Sequence, residues 1–167
     1  MSGRWTALQI ANTPNMDNLA ESAALGLAHP ASPGITPGSG PGHMGLFGYD
    51  PEIYNIGRGV LSALGIDFPL QKKDVAARMN FCTVDKDGKI IDRRAGRIST
   101  KHNKKLVDKI RKKIKTGSTE VFIETESEHR ALLVLRGNNL TADVGDTDPQ
   151  NTGISPLDPA RPPYEES

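Results

Sequence analysis

Residues 74–92 read Asp74-Val-Ala-Ala-Arg-Met-Asn-Phe-Cys-Thr-Val-Asp-Lys-Asp-Gly-Lys-Ile-Ile-Asp92. From Asp74 to Asp85, Val75, Ala77, Met79, Phe81 and Thr83 hold alternate positions, the period of a strand with one buried face. Asp87-Gly88 is a strong hairpin-turn signal, and Lys89–Asp92 is then the returning strand. Further on, Leu106, Ile110 and Ile114 recur every four residues with Val107 beside them, so a helix is predicted over 101–115, closed by Gly117. Glu120–Glu126 and Ala131–Leu135 read as two more strands, joined at Ser127-Glu128-His129. Strands and one helix over about 70–80 residues make an α+β piece large enough to fold as a unit.

Upstream the texture differs. Thr13 reads as a helix N-cap with Pro14 in the first turn, Met16, Leu19 and Ala20 give an apolar face, and Gly26 ends the run. Residues 29–45 form a long irregular segment of the kind that usually serves function. A further helix is expected over Arg58–Leu64, stopping at Gly65. Beyond Gly137 the chain is polar and rich in Gly, Asp and Pro, and Pro156, Pro159, Pro162 and Pro163 predict a loose tail. The expected division is 1–70, 71–148 and 149–167.

Composition adds bounds. A chain of 167 residues suits one domain, or a small one with extensions. Glycine and proline are frequent (17 and 12) against 36% hydrophobic residues, which predicts a loop-rich protein with a modest core. A net charge of +1 selects no partner. Cys82 is the sole cysteine, so an intrachain disulfide is excluded and a reducing compartment is expected. No apolar run approaches the ~20 residues of a membrane span, and no signal-peptide core is present. A soluble, cytoplasmic protein is expected, with no membrane partner. Lys101–Lys115 carries eight basic residues against Asp108 alone. It has no interleaved aromatics, and Glu120, Glu124, Glu126 and Glu128 follow closely. It reads as a solvated helix face rather than a nucleic-acid surface.

Ser39 stands in Thr36-Pro-Gly-Ser-Gly-Pro-Gly-His-Met-Gly-Leu-Phe-Gly-Tyr-Asp50. Pro37, Gly38, Gly40, Pro41 and Gly42 surround it, so a substrate can approach the backbone and hydroxyl closely. If Pro41 opens a helix, first-turn N–H groups form an anion site beside Ser39, which could accept a phosphoryl group. The local chemistry equally allows a serine that only caps the helix. His43 reads as a histidine bonding the loop backbone, and Asp146-Thr-Asp148 as an Asx-turn loop. Arg78, Arg93, Arg94, Arg97, Arg130 and Arg136 supply guanidinium forks suited to phosphate or carboxylate.

Taken in order, Ala11-Asn-Thr-Pro-Asn-Met-Asp-Asn-Leu-Ala20, the serine loop, Gly48-Tyr-Asp-Pro51, Gly57-Arg-Gly59, Asp92-Arg-Arg-Ala-Gly-Arg97 and Glu128-His-Arg130 resemble the archaeal-type, cofactor-independent (2,3-bisphosphoglycerate-independent) phosphoglycerate mutases of the alkaline phosphatase superfamily. The likeness runs from about Thr6 to about Asp148. It implies an α/β fold: a partial alkaline-phosphatase-like core segment with the nucleophile loop (1–70), an α+β substrate-clamping insert domain (71–148) and a Pro-rich tail (149–167). It implies interconversion of 3-phosphoglycerate and 2-phosphoglycerate through a phosphoserine at Ser39, which is also a metal-ligand position. Arg94, Arg97, Asp92, Arg130, Arg78, Arg136 and Arg58 are the implied substrate-binding residues.

The family also uses two divalent ions, manganese or magnesium. Its other metal ligands have no match here: nothing before Asn12 offers an Asp-Gly strand end, and no histidine follows Asp148. A fragment is therefore expected, inactive and holding no stable metal on its own. Its expected partners are phosphoglycerate and the rest of the phosphatase-type core. The alternative is a non-catalytic phospho-ligand binding or regulatory module without the metal sites. A related phosphotransferase is a third reading, disfavoured by the Asp92–Arg97 motif.

Overall fold

Ala131-Leu-Leu-Val-Leu135 has no polar position, and a strand of that composition must be covered on both faces. The computed structural model, which describes residues 5–34, 37–54 and 56–159, puts it there. Strand β5 (Arg130–Arg136) lies centrally in a three-stranded antiparallel sheet, between β1 (Asp74–Asn80) and β4 (Glu120–Ser127). Successive side chains of β5 point to opposite faces. Leu132 and Val134 meet Ala63 of helix α4 (Arg58–Gly65), with Ile66, Phe68, Ala76 and Phe122 around them. Ala131 and Leu133 face the other way, toward Val107 and Ile110 of helix α5 (Thr100–Lys113) and toward Ile123. The protein is thus a mixed α/β structure whose core is two apolar layers divided by one sheet.

The single strand expected over 74–85 is two. The β1–β5 ladder ends at Asn80↔Arg130, where β5 begins, and the Phe81 N–H closes it on the His129 carbonyl (2.7 Å). The chain then leaves the sheet, and β2 (Thr83–Val84) pairs with β3 (Ile90–Asp92) in a separate ribbon across the predicted Asp87-Gly88 turn. The expected single buried face also fails, because helices cover both sides: Ala76 packs toward α4 and Met79 toward α5. Downstream, the Gly153 N–H donates to the Ile90 carbonyl (2.7 Å) and the Ile90 N–H to Ile154 (2.9 Å), so residues 153–154 lie against β3. The tail beyond residue 159 lies outside the described residues.

Two short helices precede this unit. Thr6 and Gln9 form a reciprocal capping box on α1 (Ala7–Ile10), and Pro14 starts α2 (Pro14–Ser22) after Thr13. The Thr13 hydroxyl donates to Asp17 Oδ1 (3.1 Å) instead of capping a backbone N–H. Helix α3 (Ser39–Leu46) carries the serine loop.

Arg136 closes the far edge of the sheet. Its guanidinium grips Asp74 with two hydrogen bonds (2.7 and 2.8 Å) and lies over the Phe122 ring (4.8 Å). The Asp74 side chain is 1% exposed, and its carboxyl is held below the usual carboxylate range by the Arg136 hydrogen bonds, against the cost of burial. Arg136→Ala would leave a buried, unpaired charge. A fall of about 10 °C in the thermal midpoint is expected, with little recovery by Arg136→Lys, which cannot chelate both oxygens.

Candidate functional site

The serine loop docks on α4. A Cβ on Gly40 would touch Leu61 (3.2 Å) and one on Gly38 the Arg58 guanidinium (3.7 Å), so glycines let the loop lie against the helix. Helix α3 starts at Ser39, two residues earlier than the Pro41 start considered from sequence, with Gly38 as its N-cap. Ser39 is therefore not the cap. Its Oγ makes no hydrogen bond among the described residues, and the residue is exposed. The Nδ1–H of His43 donates to the Ser39 carbonyl (2.6 Å), so His43 holds the turn rather than the hydroxyl.

Ser39 opens into a cleft of ≈ 500 Å³ between this loop, α4 and the end of the sheet. Arg58, Ser62, Arg78 and Glu126 line it with the loop. Arg58 and Arg78 make no hydrogen bond or ion pair among the described residues. The Ser39 and Gly40 N–H groups of the first turn are unpaired in the same way, whereas Gly42 N–H bonds the Gly38 carbonyl (3.0 Å). Two guanidiniums without hydrogen-bond partners among the described residues, of which Arg58 also acts through space on Asp148, and a helix N-terminus beside an exposed hydroxyl form an oxyanion-binding surface.

A second group borders it at the β4–β5 turn. Arg97 meets Glu128 (3.5 Å), and Arg130 meets Glu126 of the cleft wall (3.7 Å). Arg94 is exposed and makes no side-chain hydrogen bond or ion pair among the described residues. The two carboxylate oxygens of Asp92 accept the Arg94 and Gly96 N–H groups (2.7 Å each). Those two bonds hold its carboxyl below the usual range. They stabilise three successive left-handed residues, Ala95, Gly96 and Arg97 (φ 47°, 62° and 51°), which a loop of this sequence would not adopt unaided. The turn itself is clamped by α5. Buried Asn103 donates to the Glu128 and Arg130 carbonyls (2.7 Å each), and Thr100 Oγ1 accepts the Glu128 N–H (3.1 Å).

His129 is 5% exposed, and its Nδ1 has no hydrogen-bond partner among the described residues, with Glu128 Oε2 at 3.9 Å. Burial first, then Arg130, lowers its pKa below the usual value, against a smaller opposing effect of Glu128. The unfolded histidine titrates near 6.5, so below that pH the unfolded chain takes up a proton that the folded chain refuses. Stability is expected to fall as pH drops from 7.5 to 5.5, above the range where Asp74 and Asp148 titrate. Urea midpoints at the two values, with His129→Gln flattening the difference, check this.

A family model described as 2,3-bisphosphoglycerate-independent phosphoglycerate mutase matches residues 20–167. The chain belongs to the 2,3-bisphosphoglycerate-independent phosphoglycerate mutase family. A Thermus thermophilus protein named "Probable 2,3-bisphosphoglycerate-independent phosphoglycerate mutase" is 54% identical over 156 residues, covering 93% of this chain and 38% of the relative. A Deinococcus radiodurans protein of the same name is 49% identical over 155 residues, covering 90% and 38%. Among solved structures, a cofactor-independent phosphoglycerate mutase from Thermoplasma acidophilum matches with TM-score 0.57 and 41% identity, over 74% of this chain and 32% of that one. The chain thus spans less than two fifths of the length of these mutase relatives.

Within this family member, the structure gathers Ser39, Arg58 and Arg78 in one cleft, with Arg130 reaching its wall and Arg94 and Arg97 on the adjoining loop. Arg136 is not brought there. It sits six residues along β5 from Arg130, about 20 Å by strand rise, and is occupied by Asp74. Arg93 is likewise engaged, chelating Asp148 (2.7 and 2.9 Å) and Gln150 (2.5 Å). Asp146 forms the expected Asx turn by accepting the Asp148 N–H (2.9 Å). Sequence reading missed Glu126 and Ser62. Glu126 looked like an ordinary strand-end residue, and only the β4–β5 register shows that it is a bulge.

No group of three His, Cys, Asp or Glu side chains that could hold a metal ion occurs among the described residues. Among the described residues, the cleft donors Ser39, Ser62 and Glu126 do not make the two-metal set that the resemblance implies. No helix among the described residues is long and apolar enough to cross a membrane.

Proposed function

We propose that this chain carries the nucleophile loop and substrate clamp of a phosphoglycerate mutase that interconverts 3-phosphoglycerate and 2-phosphoglycerate, with Ser39 taking and returning the phosphoryl group. The observation that carries this reading is the unbonded Ser39 hydroxyl at the start of α3, facing a cleft with Arg58 and Arg78, whose guanidiniums make no hydrogen bond among the described residues. A phosphoryl group leaving a hydroxyl keeps its charge on peripheral oxygens, and guanidiniums with first-turn N–H groups stabilise that charge. Arg94 and Arg97, on the loop fixed by Asp92, and Arg130, on the turn fixed by Asn103, hold the second charged end of the substrate. Arg136 and Asp92 serve this arrangement from outside it.

In this reading residues 1–70 belong to a phosphatase-type core up to α4, and 71–148 to the insert that clamps the substrate, with α4 joining the two by packing on the insert sheet through Ala63. The large exposed side chains concentrate in the first part, with Trp5, Leu27 and Phe47 at 70%, 101% and 75% exposure. Such a surface is what the remainder of a longer mutase would cover, and the metal ligands would come from that remainder.

The reading is tested by ligand binding in metal-free buffer. Inorganic phosphate is expected to bind the chain weakly and with salt dependence, and Arg58→Ala with Arg78→Ala to reduce affinity at least about tenfold. Unchanged phosphate binding in the double variant would remove the cleft from the account.

A further inference from the structure

We infer that Glu126 is a specificity-determining residue of the cleft: its carboxylate accepts a hydrogen bond from the free hydroxyl of a bound phosphorylated hydroxy acid. The inference rests on the cleft being the substrate site. β4 and β5 are in register through Thr125↔Ala131, and pairing resumes at Ser127↔Arg130, so Glu126 is the extra residue of a β-bulge. Glu126 lies four residues along the strand from Phe122, which packs on the α4 side, so strand alternation carries it to the α4 face and into the wall of the cleft that holds Ser39, Arg58 and Arg78.

Glu126 is fixed in place but not used up. Ser62, a buried serine of α4, donates its hydroxyl to Glu126 Oε2 (2.8 Å). Arg130 stands 3.7 Å from Oε1, an ion pair beyond hydrogen-bond reach, so Oε1 keeps acceptor capacity. The side chain is 20% exposed. A carboxylate facing arginines repels the anionic ends of a phosphorylated acid, and with Ser62 already donating to Oε2, Oε1 is the oxygen left to meet a neutral donor of the ligand. Among the groups of such a substrate, the hydroxyl is that donor. An analogue without it leaves a largely buried carboxylate oxygen short of a hydrogen bond, which is how hydroxyl-reading sites reject deoxy ligands.

The experiment compares, by calorimetry on the full chain, inorganic phosphate, 3-phosphoglycerate and its 2-deoxy analogue, 3-phosphooxypropionate. The wild type is expected to prefer phosphoglycerate to the deoxy analogue at least about tenfold, and Glu126→Gln to cut that preference to about twofold while leaving phosphate affinity equal or higher. Ser62→Ala, which frees the carboxylate from its tether, is expected to narrow the preference as well and serves if Glu126→Gln fails to fold. Absence of the preference in the wild type, or its survival in Glu126→Gln, overturns the inference while phosphate binding leaves the cleft reading intact. Failure of phosphate and phosphoglycerate alike to bind overturns both.

Discussion

Ser39→Ala, placed in a full-length family member carrying this sequence, is expected to lower the rate of 3-phosphoglycerate turnover at least about 10⁴-fold. The size follows from the role: a residue that forms the covalent bond has no substitute, whereas residues that only bind leave the chemistry slower but intact. Substrate affinity should change little, because Arg58, Arg78 and the first-turn N–H groups remain where they are. That split, a collapse of kcat with a nearly constant KM, separates a nucleophile from a residue that shapes the loop. His43→Ala should behave in the opposite way. Its imidazole bonds only the Ser39 carbonyl, so the loop loosens and both parameters drift modestly.

Gly59→Ala is expected to destabilise the fold by at least about 3 kcal/mol, and Gly59→Val to prevent folding. Gly59 is buried on the α4 face that meets β1. A Cβ there would fall inside the van der Waals envelope of the Ala76 carbonyl carbon and oxygen and lie 2.6 Å from the Ala77 nitrogen. The obstacle is backbone of a hydrogen-bonded strand, which cannot rotate away as a side chain would. Helix α4 would have to lift, exposing Ala63, Leu132 and Val134. Because the same helix presents Arg58 and Ser62 to the cleft, any folded remnant should also lose phosphate binding. Gly65→Ala is the control, since no atom lies within contact distance of a Cβ there, and it should cost little. Chemical denaturation of the three variants measures the contrast.

Much of the fold is legible in the residues. The four-residue spacing of Leu106, Ile110 and Ile114, the break at Gly117 and the turn at Glu128-His129 place α5, β4 and β5 within a residue or two of where they lie. The exit of the chain from the sheet after Asn80 is not legible. Val75 to Thr83 keeps its alternation across the break, and only the start of β5 at Arg130 sets where the ladder must end. The covering of both faces was written in Ala131–Leu135, but which helix takes which face depends on packing. The arginines divide along the same line. Type and spacing mark them as oxyanion binders, yet Arg136 and Arg78 look alike in sequence and differ in fate. Arg136 finds Asp74 across the β1–β5 register, while Arg78 has only the cleft. Glu126 shows the same limit, since alternation puts it on the face of Phe122 but its meeting with Ser62 in the cleft depends on packing rather than on any local pattern.

The central claim is covalent, and it is tested by mass spectrometry of a full-length family member carrying this sequence, quenched during turnover of 3-phosphoglycerate and digested. A phosphoryl group is expected on the peptide containing Ser39, absent without substrate and absent in Ser39→Ala. Measurable turnover with an unmodified Ser39 peptide, or with the phosphoryl group on another residue, would contradict it.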